Sequence, residues 1–340
     1  MIERISIEDY IYKYNHIPII DVRSPAEFER GHIPNAVNIP LFDNKERAAV
    51  GTVYKQKSKE AAVKLGYTYV NPKLESFIAE SQKTAPDGII AVHCWRGGMR
   101  SQSFAEHLHK NGFNTVYVVE KGYKAFRNLV LSFFEQKFNL KILGGYTGSG
   151  KTDILKQLAK KGEQVIDLEA LANHKGSAFG AIGEEPQPTV ETFENNLFWQ
   201  MHKLNLNKPV WLEDESLNIG KIIIPRPLFM QMREQTVIFI DIPVRERAKY
   251  LVNTYGLFDK ESLKNSILKI EKRLGYDRTK NATDALEAND LQQVAEITLR
   301  YYDKAYLRGV ETRDKSKVVT LKLATVDAEK NTNELLKITQ

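Results

Sequence analysis

The sequence predicts an α/β fold in two domains: a parallel-sheet domain, then a second α/β domain on a phosphate loop that ends in a helical part. Three observations predict it. Short apolar runs alternate with helical patterns over residues 1 to about 135, the signature of βαβ units and a mainly parallel sheet. A strand followed by a glycine-rich loop restarts the pattern at NLKILGG, residues 139–145. Beyond 244 the spacing turns helical. The expected division is therefore 1–135 and 136–340, the second domain carrying a helical, basic extension over about 244–340.

The elements follow in order. HIPIIDVR (16–23) is a strand ending at Asp21. SPAEFERGH (24–32) opens with an N-cap serine, and Glu27 completes a capping box. IIAVHC (89–94) is a wholly apolar strand. SQSFAEHLHKNG (101–112) has apolar residues at helical spacing, with Ser101 as N-cap and Gly112 as terminator. TVYVVEKGY (115–123) is a strand, and FRNLVLSFFEQKF (126–138) is a helix that crosses the domain boundary. EQVIDLE (163–169), KPVWLEDE (208–215) and QTVIFIDIP (235–243) are strands. RERAKYLVNTYG, ESLKNSILKIEKRLG and NDLQQVAEITLRYYDKAYLRG are helices, and KVVTLKLA (317–324) is the last strand.

Composition narrows the class. Of 340 residues, 42% are hydrophobic and 27% charged, as in ordinary globular proteins. No apolar run approaches the ~20 residues that span a bilayer. MIERISIEDYIYK lacks the charged-then-apolar pattern of a secretory leader, and a lone cysteine forms no internal disulfide; the expectation is a cytoplasmic protein away from membranes. Residues 221–340 hold 22 Lys and Arg against 17 Asp and Glu, so five of the six net positive charges lie there. Such a surface suits an anionic partner such as nucleic acid, although basic helical surfaces are common without one.

That cysteine lies in HCWRGGMRS (93–101). An apolar strand delivers Cys94 to Trp95, Arg96, Gly97, Gly98, Met99 and Arg100. Paired glycines let the backbone fold tightly, so that N–H groups converge on one point near a helix start. That field favours an anion and lowers a thiol's pKa. Arg96 and Arg100 add charge and can grip an oxyanion. The plain alternative is a buried free cysteine at a strand end.

DVRSPAEFERGHIPNAVNIP (21–40), HCWRGGMRS and KGYKAFR (121–127) resemble, in that order, the signature, active loop and closing segment of the rhodanese family. The resemblance covers roughly the first 130 residues and implies a rhodanese-like fold with Cys94 as the chalcogen-carrying nucleophile and residues 95–100 as its cradle. Common sulfurtransferase loops place four residues between Cys and Arg. Here Trp95 to Met99 make five, as in related phosphatases, and the wider loop fits a phosphate-bearing chalcogen donor such as selenophosphate.

NLKILGGYTGSGKT ends in a strict G-x-x-x-x-G-K-T, from Gly145 to Thr152. An apolar strand precedes it and a helical pattern follows, which is the context of a Walker A loop. Gly145, Tyr146, Thr147, Gly148, Ser149 and Gly150 supply N–H groups for a diphosphate, Lys151 neutralises it, and Thr152 reaches Mg²⁺ where Mg²⁺ is bound. Asp167 is the first choice of acidic partner, with Thr152 in any metal site; Glu213 and Asp214 are the second. Acids at strand ends are also ordinary caps. HKGSAFG (174–180) is a loop that either closes over an anion or is a surface turn.

The two motifs together, with DLEALANHKGSAFG (167–180) and WLEDESLNIG (211–220), make the chain similar to the tRNA 2-selenouridine synthase family. That resemblance is strong to about residue 220. It implies a transferase that binds tRNA and replaces the sulfur of wobble 2-thiouridine with selenium from selenophosphate. It further implies an S-geranyl intermediate made from geranyl diphosphate, with no tightly bound cofactor. Trp199, Tyr301 and Tyr302 either stack on a splayed base or belong to the core. Two other classes stay open: a P-loop kinase or NTPase with a rhodanese-like regulatory domain, suggested by IFIDIPVRERAKYL (238–251), and a cysteine-dependent phosphatase or arsenate reductase.

Overall fold

The computed structural model describes residues 1–256, 258–311 and 313–339. They divide into two compact units: residues 1–133 with 194–196, and the remainder.

The first unit is a five-stranded parallel sheet. Its strands are β1 (Ile2–Ile5), β2 (Ile19–Asp21), β3 (Val37–Asn38), β4 (Ile89–His93) and β5 (Thr115–Val119), in the order β1-β5-β4-β2-β3. Its helices are α1 (Ile7–Lys13), α2 (Pro25–Arg30), α3 (Asn44–Gln56), α4 (Lys59–Val70), α5 (Leu74–Thr84), α6 (Met99–Lys110) and α7 (Gly122–Phe133). β4 is central, and its continuous apolar run is what a strand buried on both faces requires. Ile90 and Val92 pack with Phe77 of α5 and Phe104 and Leu108 of α6. In register, Asp21 stands beside His93, so both side chains end up beneath the loop that follows β4.

Three boundaries differ from the sequence reading. The helix expected over 126–138 ends at Phe133, where the first unit ends, and does not cross the boundary; a turn follows, and Phe138 N–H donates to the Gln231 side chain (2.9 Å). α6 begins at Met99 with Gly98 as N-cap, not at Ser101, because the Gly98 backbone already turns the chain. Ser101 lies inside the first turn. α7 begins at Gly122, four residues before Phe126, because Lys121 and Gly122 take left-handed conformations (φ 55° and 52°) and reverse the chain directly after β5.

The second unit is also a five-stranded parallel sheet. β6 (Leu140–Gly145), β7 (Gln164–Val165), β8 (Val210–Glu213), β11 (Val237–Asp241) and β12 (Val318–Lys322) lie in the order β12-β11-β6-β8-β7, with a separate antiparallel ribbon of β9 (Asn218–Ile219) and β10 (Ile222–Ile223). The loop of interest therefore leaves the central strand. Around the sheet are α8 (Lys151–Lys160), α9 (Leu168–Leu171), α10 (Val190–Met201), α11 (Arg226–Glu234) and α17 (Ala328–Lys337). EQVIDLE is strand only at Gln164–Val165, because Asp167 caps α9.

The helical part is α12 (Val244–Tyr255), α13 (Lys260–Lys269), α14 (Glu271–Leu274), α15 (Tyr276–Glu287) and α16 (Leu291–Glu311). It sits between β11 and β12 in the chain rather than continuing to residue 340. β12 returns to pair with β11, and Leu335 of α17 joins Ile154, Leu155 and Leu158 of α8 in one core. Among the described residues, no helix is long and apolar enough to cross a membrane.

Candidate functional site

Cys94 follows the last residue of β4 and is 3% exposed. Its Sγ lies 3.3 Å from the Ser101 hydroxyl, which is also 3.1 Å from the Gly98 carbonyl. Burial opposes ionisation of the thiol. The Ser101 hydroxyl, the Arg100 charge and the backbone N–H groups of Ser101 and Arg96 outweigh it and hold the thiol below its ordinary range. At the N-terminus of α6 the thiolate is thus more accessible than in an ordinary cysteine.

Two glycines from separate motifs lock the loop. A Cβ on Gly97 (φ 61°) would lie 2.5 Å from the Val119 carbonyl oxygen, and one on Gly122 would lie 2.1 Å from the Cys94 carbonyl oxygen. The backbones touch where no side chain fits. Tyr123 N–H donates to the Cys94 carbonyl (2.9 Å) and Lys124 N–H to that of Trp95 (3.0 Å). KGYKAFR is therefore the seat of the cysteine loop.

The arginines part company. Arg100 donates to Glu27 at 3.0 Å, so it acts on Cys94 by its field and its guanidinium is already engaged. Arg96, Trp95, Gly98 and Met99 are exposed, and Arg96 is the charge left facing outward. Beneath the loop, buried Arg23 pairs with Asp21 (2.6 Å), donates to the Gly31 carbonyl (2.7 Å) and lies under the Tyr123 ring (3.8 Å). Burial opposes the Asp21 charge, but His93 and Arg23 hold its carboxyl below the usual range. Burial pushes the His93 imidazole down, and its Nε2 lies 3.6 Å from Asp21 without a hydrogen-bond partner. The Asp21 and Arg23 charges of this layer are paired.

In the second unit the loop from Gly145 to Gly150 wraps the end of β6. Gly148 and Gly150 are left-handed (φ 77° and 72°), and Ser149 N–H donates to the Tyr146 carbonyl (3.2 Å). Lys151 is 9% exposed, and its Nζ reaches back to the Gly145 carbonyl (3.3 Å). Burial opposes its charge, but Tyr306 and three glutamates raise its pKa, so it is a fixed cation. The Ser149 hydroxyl is buried with no hydrogen-bond partner.

The acidic partners are Glu169, Glu213 and Glu215, each with a carboxylate oxygen within 4.8 Å of the others. Thr152 Oγ1 lies 3.2 Å from Glu213 and 3.4 Å from Glu169. Burial raises all three carboxyls; repulsion from Asp167 adds to it at Glu169, from Glu169, Asp167 and Glu215 at Glu213, and from Glu169 at Glu215, which is pushed up to about 8. Glu213 Oε2 and Glu215 Oε1 are buried and unpartnered. Thr152 and three carboxylates with oxygens free are a donor set that fits a hard divalent cation.

Of the residues singled out in the sequence, Glu213 is in place. Asp167 gives one carboxylate oxygen to Ala170 N–H (2.8 Å) as the cap of α9, and the three carboxylates that come together are those of Glu169, Glu213 and Glu215. Asp214 pairs with Arg313 and lies 3.9 Å from Arg233. β8 ends at Glu213, and a tight turn follows in which Glu215 N–H donates to the Glu213 carbonyl (3.0 Å), so Glu213 and Glu215 both reach the cluster while Asp214 pairs with Arg313. Gly176 of HKGSAFG presses against the same cluster, since a Cβ there would lie 2.6 Å from Glu169 and 3.2 Å from Glu215. Trp199 and Tyr302 are buried, and Tyr301 accepts from Arg273 at 3.4 Å.

Comparisons with known proteins match the chain in two segments. Residues 6–129 match the family described as rhodanese-like domain, and residues 138–334 match the family described as tRNA 2-selenouridine synthase AAA domain. Three relatives named tRNA 2-selenouridine synthase illustrate the likeness. That of Shewanella frigidimarina is 35% identical over 87% of this chain and 89% of its own. That of Nitrosomonas europaea is 32% identical over 87% and 90%. That of Bdellovibrio bacteriovorus is 36% identical over 88% and 90%.

Proposed function

The chain belongs to the tRNA 2-selenouridine synthase family, and from that premise we propose that it converts wobble 2-thiouridine of tRNA to 2-selenouridine in two transfers, one at each loop. The observation that carries this reading is the pairing, in one chain, of an anion loop with a thiol and an anion loop without one.

The P-loop takes geranyl diphosphate. The 2-thio sulfur attacks C1 of the geranyl group; the C–S bond forms as the C–O bond breaks, and diphosphate leaves. Lys151 and the loop N–H groups stabilise the charge that develops on that leaving group. A divalent cation held by Thr152, Glu169, Glu213 and Glu215 would supply further neutralisation there. Alkylation matters because a thiocarbonyl sulfur leaves poorly and an alkylthiolate leaves well.

The Cys94 loop takes selenophosphate. Its phosphate-sized cradle suits attack of the thiolate on phosphorus, forming S–P as Se–P breaks. The released selenide attacks C2 and expels geranylthiolate, and water frees the cysteine. The basic surface of residues 221–340 supports contacts to the RNA backbone, which weaken as salt rises.

The test is mass spectrometry of nucleosides after incubation with thiolated tRNA, geranyl diphosphate and selenophosphate. The expected products are S-geranyl-2-thiouridine, then 2-selenouridine. Unchanged 2-thiouridine overturns the reading.

A further inference from the structure

One cleft in the second unit is unlike the polar sites described so far. It opens at Thr147 of the P-loop and is walled by Phe179, Leu251, Val252, Leu291 and Val294, among others. The P-loop is built into its wall. A Cβ on Gly148 would lie 3.0 Å from Leu251 Cγ, so loop backbone and α12 are in direct contact. Buried Arg247 fixes the corner: it donates to the Thr147 carbonyl (3.1 Å) and to the Ile242 carbonyl (2.8 Å), and pairs with Asp303 of α16 at 2.9 and 2.7 Å.

Three of the four hydroxyls that line this cleft engage backbone. Thr298 donates to the Val294 carbonyl (2.9 Å), Ser177 accepts from Phe179 N–H (3.2 Å) and Tyr302 accepts from Ala178 N–H (3.1 Å). What the interior presents is carbon. A heterocyclic base needs polar partners when buried, and a hydrocarbon does not.

We propose that this cleft is the pocket for the hydrocarbon tail of a prenyl diphosphate whose head lies in the P-loop, and that Phe179 limits the chain length accepted. This rests on the prenyl-donor reading above and adds the place where the tail lies. The P-loop residue Thr147 lines the apolar cleft, which matches an amphiphile with a charged head. The open space is small, about 60 Å³, so even a ten-carbon tail enters by displacing a wall, and a longer one by displacing it further. Phe179 is that wall, because it sits on the loop 174–180 rather than on a helix.

Calorimetric titration with inorganic diphosphate, geranyl diphosphate and farnesyl diphosphate tests it. The wild-type chain should bind geranyl diphosphate at least roughly tenfold tighter than inorganic diphosphate, from burial of the tail. Val252→Trp, which fills the cleft, should erase that advantage and leave inorganic diphosphate within about twofold. Phe179→Ala should shift preference toward farnesyl diphosphate. If the wild-type advantage exists and survives Val252→Trp, the pocket is misplaced while the prenyl-donor reading stands. If the wild type shows no advantage, both fall. Should Val252→Trp lose all ligands, an unchanged geranyl-to-farnesyl ratio in Phe179→Ala overturns the pocket.

Discussion

The two loops share a plan and differ in their electrostatics. Each leaves the carboxyl end of a central parallel strand, turns on glycines and enters a helix, the arrangement that open α/β sheets use to bind anions. Beneath Cys94 the charges close: Asp21 has Arg23, and Glu27 has Arg100. Beside Lys151 they do not, since three glutamates meet one lysine and two carboxylate oxygens are unpartnered. A closed layer can hold one thiolate geometry by itself. An open cluster is a site completed by what binds there. On the reading proposed above, the first loop serves a covalent step and the second holds charge that comes and goes.

The sharpest way to break this contrast is to remove each loop's defining side chain. Cys94→Ser should lower selenium incorporation by roughly a thousandfold and spare geranyl transfer. Lys151→Ala should lower geranyl transfer by roughly a hundredfold, with no change in the thiol's reactivity toward alkylating reagents. If both variants lose both steps in equal proportion, the division of labour is wrong.

A smaller effect concerns the open cluster. The Glu215 carboxyl is raised from 4.5 to about 8 in the fold, so without metal the folded state binds more protons than the unfolded one across that window. Stability should therefore fall as pH rises from about 4.5 to about 8, and Mg²⁺ should restore it. Glu215→Gln should flatten the slope and raise Tm at neutral pH by roughly 5 °C in EDTA. A Tm indifferent to pH and Mg²⁺ would mean the carboxylates are compensated by other means.

The smallest effect sharpens the first loop. Arg100 favours the thiolate from beyond hydrogen-bond contact, so Arg100→Ala should raise the Cys94 pKa. The acid limb of selenium transfer, which falls as pH drops through that pKa, should move to higher pH. An unmoved limb would leave Ser101 and the helix end as the whole cause.

How far the sequence led depended on whether a feature is local. Cys94 with its glycines, and Gly145 to Thr152, are contiguous, and their flanking strands and helices were legible from periodicity. Glu169 and Glu215 were not singled out, because two segments, around 169 and 213–215, come to Thr152 only once β8 lies between β6 and β7. Asp167 looked better placed than Glu169 but caps α9. The role of Gly122 was hidden too, since its need for φ > 0 comes from the Cys94 carbonyl pressed against it. The return of β12 to the sheet was legible as a strand, but its partner was not.

The most direct test of the account is the wobble nucleoside made by Cys94→Ser when thiolated tRNA, geranyl diphosphate and selenophosphate are all supplied. The account predicts that S-geranyl-2-thiouridine accumulates and 2-selenouridine is absent. Selenouridine at the wild-type rate, or failure to form the geranylated nucleoside, would contradict it.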